Sequence, residues 1–451
     1  MLEPVKIEGK WWLPEAPEEK YSGTMTFSQM QSGQLTVYGS FEGLHVGFDQ
    51  TIILGQSTNE DQITLYKCIC ISTPYSNSGC SYYFFHILFS GMHFLKEEDI
   101  LFSEIDINYS NLEEWYGKTG LSIRDKTYPN MTITYRQPKQ KMIIMNDEIQ
   151  LGFKNILFGY RLERYIKNIN IHINTFVAIR TTESLTFNNV LDYVQRINNF
   201  ITLATGKVQY PQMIFAFIRL PNKFQHLEQT NLRVSIFYQM VNPPSEIEKQ
   251  YWNTMLFMYS DISNRFKYFM KNWLDKSETL RPFFSIYFSS LNTTRMFIDQ
   301  RFISMVQALE IYHRLKYKNR VKTKEEHEMR VNRILSVIPK HEYQWVEGLL
   351  RQANQPSLRM RLWEIFEEYP ELATRQYGHP KHYVKRIVEI RNDMTHYSKK
   401  GKPWTTEELV NLIKILKSLI ETILLVEMGF SKSEAYTLQE KQRRYDLNSF
   451  W

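Results

Sequence analysis

Up to about residue 235 the apolar positions recur in short runs at every second place, the spacing of half-buried strands. TMTFSQ, GQLTVYGSF, QTIILG, QITLYKCICIS, YYFFHILFSG and NINIHINTFVAI are rich in aromatic and β-branched residues, and Gly, Asn, Ser and Asp separate them. The period changes once, in FNNVLDYVQRINNFITLAT, where Val190, Leu191, Val194, Ile197 and Ile201 recur at helical intervals before a stop at Gly206. Residues 1–235 are therefore expected to form a β-rich domain, sandwich or barrel-like, with one long helix.

Past NPPSE, at 242–246, the helical period takes over. Pro243 and Pro244 mark a linker or a helix start. Residues 246–275 read as a connecting helix, giving a helical connector over 236–285. An all-α bundle is expected over 286–451. RFISMVQALEIYHRL places Phe302, Met305, Val306, Leu309 and Tyr312 on one side, and three further helices follow, broken by Pro339, Pro356 and Pro370. A helix then runs through KHYVKRIVEI. In the last long helix Thr405 and Glu408 make a capping-box pattern, Leu409, Leu412, Ile413, Leu416, Ile420 and Ile423 form the apolar stripe, and Gly429 closes it. The fold class is thus α+β and multidomain.

Composition changes this picture little. A chain of 451 residues with 43% hydrophobic and 23% charged residues is that of a soluble globular protein of two or three domains. No run approaches the roughly 18 apolar residues that cross a bilayer, and MLEPVKIEGKWWLPEAPEEK lacks the pattern of a signal peptide. Three cysteines, Cys68, Cys70 and Cys80, argue against a disulfide framework and fit a reducing cytoplasm. Cys68 and Cys70 share a strand face near Cys80 and His86, but there is no CxxC pair and no fourth cysteine. Buried thiols are expected, with no metal and no cofactor. Trp11, Trp12, His93 and Trp115 read as core or structural residues. No Gly-rich phosphate loop, HExxH or GxSxG occurs.

Charge adds an asymmetry. Residues 281–451 hold 29 Lys+Arg against 20 Asp+Glu, a net +9, and residues 1–280 hold 26 against 28, a net −2. A polyanionic partner for the C-terminal part is compatible with this. Lys316, Lys318, Arg320, Lys322 and Lys324 form a basic run that reads either as a contact for the backbone of such a polyanion or as a solvated loop.

The helix through KHYVKRIVEI continues into RNDMTH, Arg391–His396. Val384, Ile387 and Val388 define its apolar stripe. Arg391 and Thr395 extend that line, and Asn392 and His396 form a polar line about a third of the way round. RNA cleavage needs a group that removes the 2′-hydroxyl proton and one that protonates the leaving 5′-oxygen; histidine serves either role near neutrality. A permanently charged, planar guanidinium suits the phosphorane-like transition state. One histidine per chain is thin for two proton transfers, so two juxtaposed copies make chemical sense. Spacing alone leaves a polar helix end as the commoner reading.

Beyond the spacing, the C-terminal region resembles the HEPN superfamily, whose ribonuclease motif is Arg-polar-x3-His; RNDMTH matches with Asn at the polar position. FISMVQALEIYHR, SLRMRLWEIF and VEIRNDMTHY resemble the ApeA-like HEPN branch in the expected order. KWWLP, GQLTVYGSF, SGMHFLKEEDILFSEIDINYSNLEEWYG and INNFITLATG resemble the ApeA N-terminal domain. The resemblance implies a helical-bundle nuclease that dimerises through the HEPN domain with the motifs facing, and cuts RNA without a metal to leave 2′,3′-cyclic phosphate ends. It implies a cytoplasmic abortive-infection antiphage effector gated by an N-terminal sensor, with a phage-derived protein as trigger and tRNA as leading substrate. Arg391, Asn392 and His396 take the catalytic positions. Some HEPN toxins carry tyrosine two residues after the histidine, but here Tyr397 is adjacent and Ser398 takes that place. The alternative is a non-catalytic RNA- or nucleotide-binding module with a protein-recognition N-terminal domain.

Other residues carry two readings each. Glu310 and Arg314 make either an ordinary i,i+4 ion pair or, with Thr395, the polar lining of a cleft. Lys399, Lys400 and Lys402 make either a solvated charge run or phosphate contacts beside the scissile bond. His313 reads as a core or surface histidine.

Overall fold

The computed structural model describes residues 4–29, 31–41, 46–47, 51–73, 79–124, 132–158, 171–219, 231–240, 247–293, 296–371, 379–396 and 403–445. The chain divides between Lys271 and Asn272 into two compact units.

The first unit begins with a closed barrel. Strands β1 (Val5–Trp12), β2 (Tyr21–Ser28), β3 (Gln31–Tyr38), β4 (Thr51–Ser57), β5 (Gln62–Ser72) and β6 (Cys80–Phe85) pair antiparallel in the order β1-β2-β3-β6-β5-β4-β1. Alternation aims one side of each strand inward: Trp11, Met25, Phe27, Leu35, Val37, Ile53, Leu65 and Phe85 are all buried there. Trp11 needs room, and glycine provides it: a Cβ on Gly55 would stand 2.3 Å from the indole ring. Cys68 and Cys70 point into the same core, and burial pushes the Cys68 thiol up, which keeps it protonated.

An open sheet continues from the barrel. β7 (Ile87–Ser90) follows β6 after a one-residue break at His86, and one hairpin register runs through both, from Ile63↔Ser90 to Cys70↔Tyr83. The first half of β5 thus pairs with β7 and the second half with β6. Lys67, with φ 58°, marks the switch. β8 (Leu101–Tyr109) precedes a short helix, α1 (Leu112–Tyr116). A separate two-stranded ribbon holds β9 (Leu121–Arg124) and β10 (Thr132–Tyr135). β11 (Lys141–Ile144), β12 (Ile149–Phe158), β13 (His172–Thr186), β14 (Pro211–Arg219) and β15 (Asn231–Tyr238) complete the sheet in the order β11-β12-β13-β8-β14-β15-β7. The barrel form anticipated above is therefore joined to a second, open sheet.

The long helix falls where its periodicity puts it. α2 (Phe187–Thr205) starts at a Thr186/Asn189 capping box and ends at Gly206, φ 74°. It buries Val190, Val194, Ile197 and Ile201 and packs on β8 and β13, where the Tyr109 hydroxyl donates to Val194 O at 2.7 Å. Trp115 is buried too, its indole N–H donating to Phe257 O at 3.0 Å.

β8 is unusual in burying both faces. Ile105, Ile107 and Tyr109 alternate with Glu104, Asp106 and Asn108, and all six are buried. Lys154 reaches Asp106 at 2.7 Å and Glu104 at 3.5 Å, and Arg180 reaches Glu104 at 2.7 Å. Burial outweighs the lysine: the Asp106 carboxyl is raised from 3.8 to about 6. A carboxyl raised in the folded state binds more protons folded than unfolded, so its contribution is present below the unfolded value and is lost as pH rises through about 6. Urea unfolding of the full chain at a series of pH values should show this loss, on the order of 2–3 kcal/mol. Asp106→Asn should flatten it; an unchanged slope would assign the pH dependence elsewhere.

Beyond β15, α3 (Tyr259–Ile262) is one turn and sustained helix begins at α4 (Phe266–Thr279). Within 246–275, read as a connecting helix, the described backbone before Tyr259 is irregular apart from a 3-10 turn at Trp252–Thr254.

The second unit is helical: α5 (Arg281–Asn292), α6 (Ile298–Lys316), α7 (Lys324–Leu335), α8 (Tyr343–Gln352), α9 (Leu358–Glu368), α10 (Pro380–His396), α11 (Thr406–Met428) and α12 (Lys432–Tyr445). α6 packs on α5, α9, α10 and α11, and buries Phe302, Met305, Val306, Leu309 and Tyr312. α11 is buried nearly all round between Ile415 and Leu425, as a central helix must be. Its Thr405 cap accepts from the Glu408 N–H at 3.1 Å, and Gly429 closes it with φ 115°.

Candidate functional site

α10 carries the polar constellation. Tyr383, Val384, Ile387 and Ile390 are its buried line, and the helix is continuous through His396. Arg386 anchors it to the start of α11 with a two-pronged bond to Glu408, at 2.7 and 2.9 Å, and a third bond to Pro403 O at 3.1 Å. The helix is therefore anchored at its second turn, about ten residues before His396.

Arg391 is half-buried beside that apolar line. Its guanidinium donates to Asn392 Oδ1 at 3.2 Å, and it makes no ion pair with any described residue. Asn392 is half-buried. Thr395 turns its hydroxyl back to Arg391 O at 2.8 Å, satisfying a carbonyl near the helix end. His396 is exposed and makes no hydrogen bond or ion pair with any described residue. Lys399, Lys400 and Lys402 lie outside the described residues.

Helical geometry limits what one copy can do. Asn392 and His396, four apart, differ by roughly 40° around the axis, whereas Arg391 and His396, five apart, differ by roughly 140°. The Arg391 side chain leaves the helix on a different line, but its guanidinium reaches the Asn392 amide at 3.2 Å.

Glu310 and Arg314 on α6 form a 2.9 Å ion pair at i,i+4. One turn in, sequence reasoning missed a buried polar relay. His313 is fully buried; its Nδ1 accepts from Arg361 Nη1 at 3.0 Å, and its Nε2 lies 2.7 Å from Glu364. Arginine only donates, so the ring proton sits on Nε2 and goes to the Glu364 carboxylate. The His313 ring stacks flat on Tyr317 at 4.6 Å, and the Tyr317 hydroxyl bonds Glu368. Arg361 is 1% exposed, its Nη2 has no hydrogen-bond partner among the described residues, and burial pushes its guanidinium down. The signal was present: Arg361 falls in the apolar row Leu358, Leu362, Ile365 of α9, where a surface arginine has no place.

Another carboxylate, Glu427 of α11, with its side chain 8% exposed, accepts from Tyr312 at 2.9 Å, Lys276 at 2.9 Å and Lys316 at 2.8 Å. It joins α4, α6 and α11, and absorbs Lys316 from the basic run. Among the described residues no cluster of three or more His, Cys, Asp or Glu could hold a metal ion, and no helix is long and apolar enough to cross a membrane.

Two family models match the chain. The ApeA N-terminal domain 1 matches residues 6–273, more than half of the sequence, and the Apea-like HEPN matches residues 303–434, which include the whole of α10. No curated protein and no solved structure matches.

Proposed function

Because the chain belongs to the ApeA family, an ApeA N-terminal domain 1 followed by an Apea-like HEPN domain, we propose that it is a metal-independent endoribonuclease of antiphage defence. Its HEPN unit is the effector, its β-rich unit the sensor of a phage-derived protein, and tRNA, cut in the anticodon region, the leading substrate. One observation supports this most: RNDMTH lies inside the HEPN match with its guanidinium unclaimed by any described carboxylate and its imidazole open to solvent.

In this reading two copies pair their α10 ends. Arg391 holds the non-bridging oxygens of the scissile phosphate, and Asn392 fixes the guanidinium. One His396 takes the 2′-hydroxyl proton as that oxygen attacks phosphorus; the other protonates the 5′-oxygen as its bond to phosphorus breaks. The products are a 2′,3′-cyclic phosphate and a 5′-hydroxyl. The test is the wild-type chain with total tRNA in excess EDTA, alone and with phage-infected lysate. Discrete fragments with cyclic phosphate ends are expected in at least one arm. Cleavage that EDTA abolishes, or 3′-hydroxyl ends, would overturn the mechanism.

A further inference from the structure

We infer that the hairpin of α7 and α8 is a docking surface for a single-stranded segment of RNA, with a base stacked on Trp345 and phosphates on the lysines and arginines around it. The inference rests on the reading that RNA is the substrate, but it concerns a surface that reading does not use.

α7 and α8 pack mainly on each other. α7 buries only Leu335, and α8 is without a buried residue among those described. A hydrogen bond between His327 Nε2 and Leu350 O, 3.0 Å, ties the pair. The outward face of α8 is apolar: Trp345 is 66% exposed and Leu349, one turn on, 57%. The exposed indole and the exposed leucine one turn on offer a flat apolar face on which a planar partner could stack.

Charge then selects the partner. Between Tyr317 and Asn354 there are 8 Lys+Arg and 5 Asp+Glu. Four of the carboxylates are engaged locally: Glu326 in the Thr323 capping box, Glu328 with Lys324, Glu342 with His341 and Glu347 with Arg351. Lys318, Lys322, Arg330, Arg333 and Lys340 make no ion pair with any described residue. The basic run is also held in place. Val321 N–H donates to Asn354 O, Lys322 N–H donates to Asn354 Oδ1, and Asn354 Nδ2 returns a bond to Lys322 O, at 2.8, 2.8 and 3.0 Å. Lys322 therefore sits at the C-terminal end of α8, and Lys340 just before its N-terminal end. Trp345 lies between them, on a helix about 15 Å long. An aromatic platform flanked by uncompensated cations is what a single strand needs, since every base has a stacking face and every linkage a charge. A second copy of the chain would bring the same excess of positive charge against itself.

The test is RNA binding by the full-length chain carrying His396→Ala, which keeps the RNA intact, read by fluorescence anisotropy with a labelled single-stranded 20-mer and with tRNA between 50 and 200 mM KCl. Trp345→Ala should weaken the 20-mer by about tenfold or more, and Trp345→Tyr should restore most of that. Lys318→Glu with Lys322→Glu should weaken binding and lower its salt dependence. Affinity unchanged in all variants, no binding at all, or a self-association that Trp345→Ala abolishes while RNA affinity stays the same would each overturn the inference. If the wild type never cuts RNA yet these losses appear, the nuclease reading falls and this surface stands. If it cuts and Trp345→Ala binds as before, the surface falls and the nuclease reading stands.

Discussion

Replacing His396 with alanine is expected to lower RNA cleavage by about 10²–10⁴-fold and leave the fold unchanged. The two halves of that expectation have separate grounds. The imidazole is the one ring base of RNDMTH and it faces solvent, so removing it takes away the group proposed to carry protons. Its lack of hydrogen bonds to described residues means that truncation strands no partner, and stability should change by about 0.5 kcal/mol or less. Arg391→Ala should cost cleavage on a similar scale. Arg391→Lys should recover little of it, since an ammonium keeps the charge but cannot grip two phosphate oxygens as a planar fork does. Rates come from single-turnover gels and stability from thermal unfolding of the same preparations. Undiminished cleavage by His396→Ala would remove the nuclease reading of this motif. Loss of cleavage together with unfolding would assign it a structural role instead.

The second large effect is on stability. Arg361→Met should destabilise the helical unit by about 2 kcal/mol, because it leaves His313 Nδ1 buried without a donor. Removing the relay as a whole should cost less than the sum of its parts. In Arg361→Met with His313→Leu no buried acceptor is orphaned, and the unpartnered Nη2 disappears as well. A double-mutant cycle in urea should therefore show coupling of about 1–2 kcal/mol. Strict additivity would mean that the relay is a set of independent contacts.

These two cases show what the sequence could yield. RNDMTH was legible because chemistry was concentrated in six consecutive residues on a recognisable helix. The Arg361–His313–Glu364 relay was not, since its members come from two helices and only packing brings them together. α2 and α11 were read nearly to the residue, as both announce their ends with a threonine cap and a closing glycine. β8 was missed although EIDINY alternates strictly, because a strand with buried carboxylates on one face does not look like a core strand. The choice between sandwich and barrel could not be made either. It turns on the pairing of Cys70 with Tyr83, a register between two strands that no local pattern encodes. Exposure of Trp345 was equally hidden, for the helical period of α8 gives a face without saying whether anything covers it.

The hairpin formed by β5 with β6 and β7 has one more consequence. One half of its ladder completes the ring around Trp11 and the other half carries the edge of the open sheet. Prising β5 away would break the ring and leave β7, the border strand of the sheet, paired only with β15. The two architectures are therefore thermodynamically one: they should melt in a single cooperative step, and amides of β5 should exchange with solvent only through it. A protein bound to the outside of the ring would slow exchange throughout the sheet without touching it.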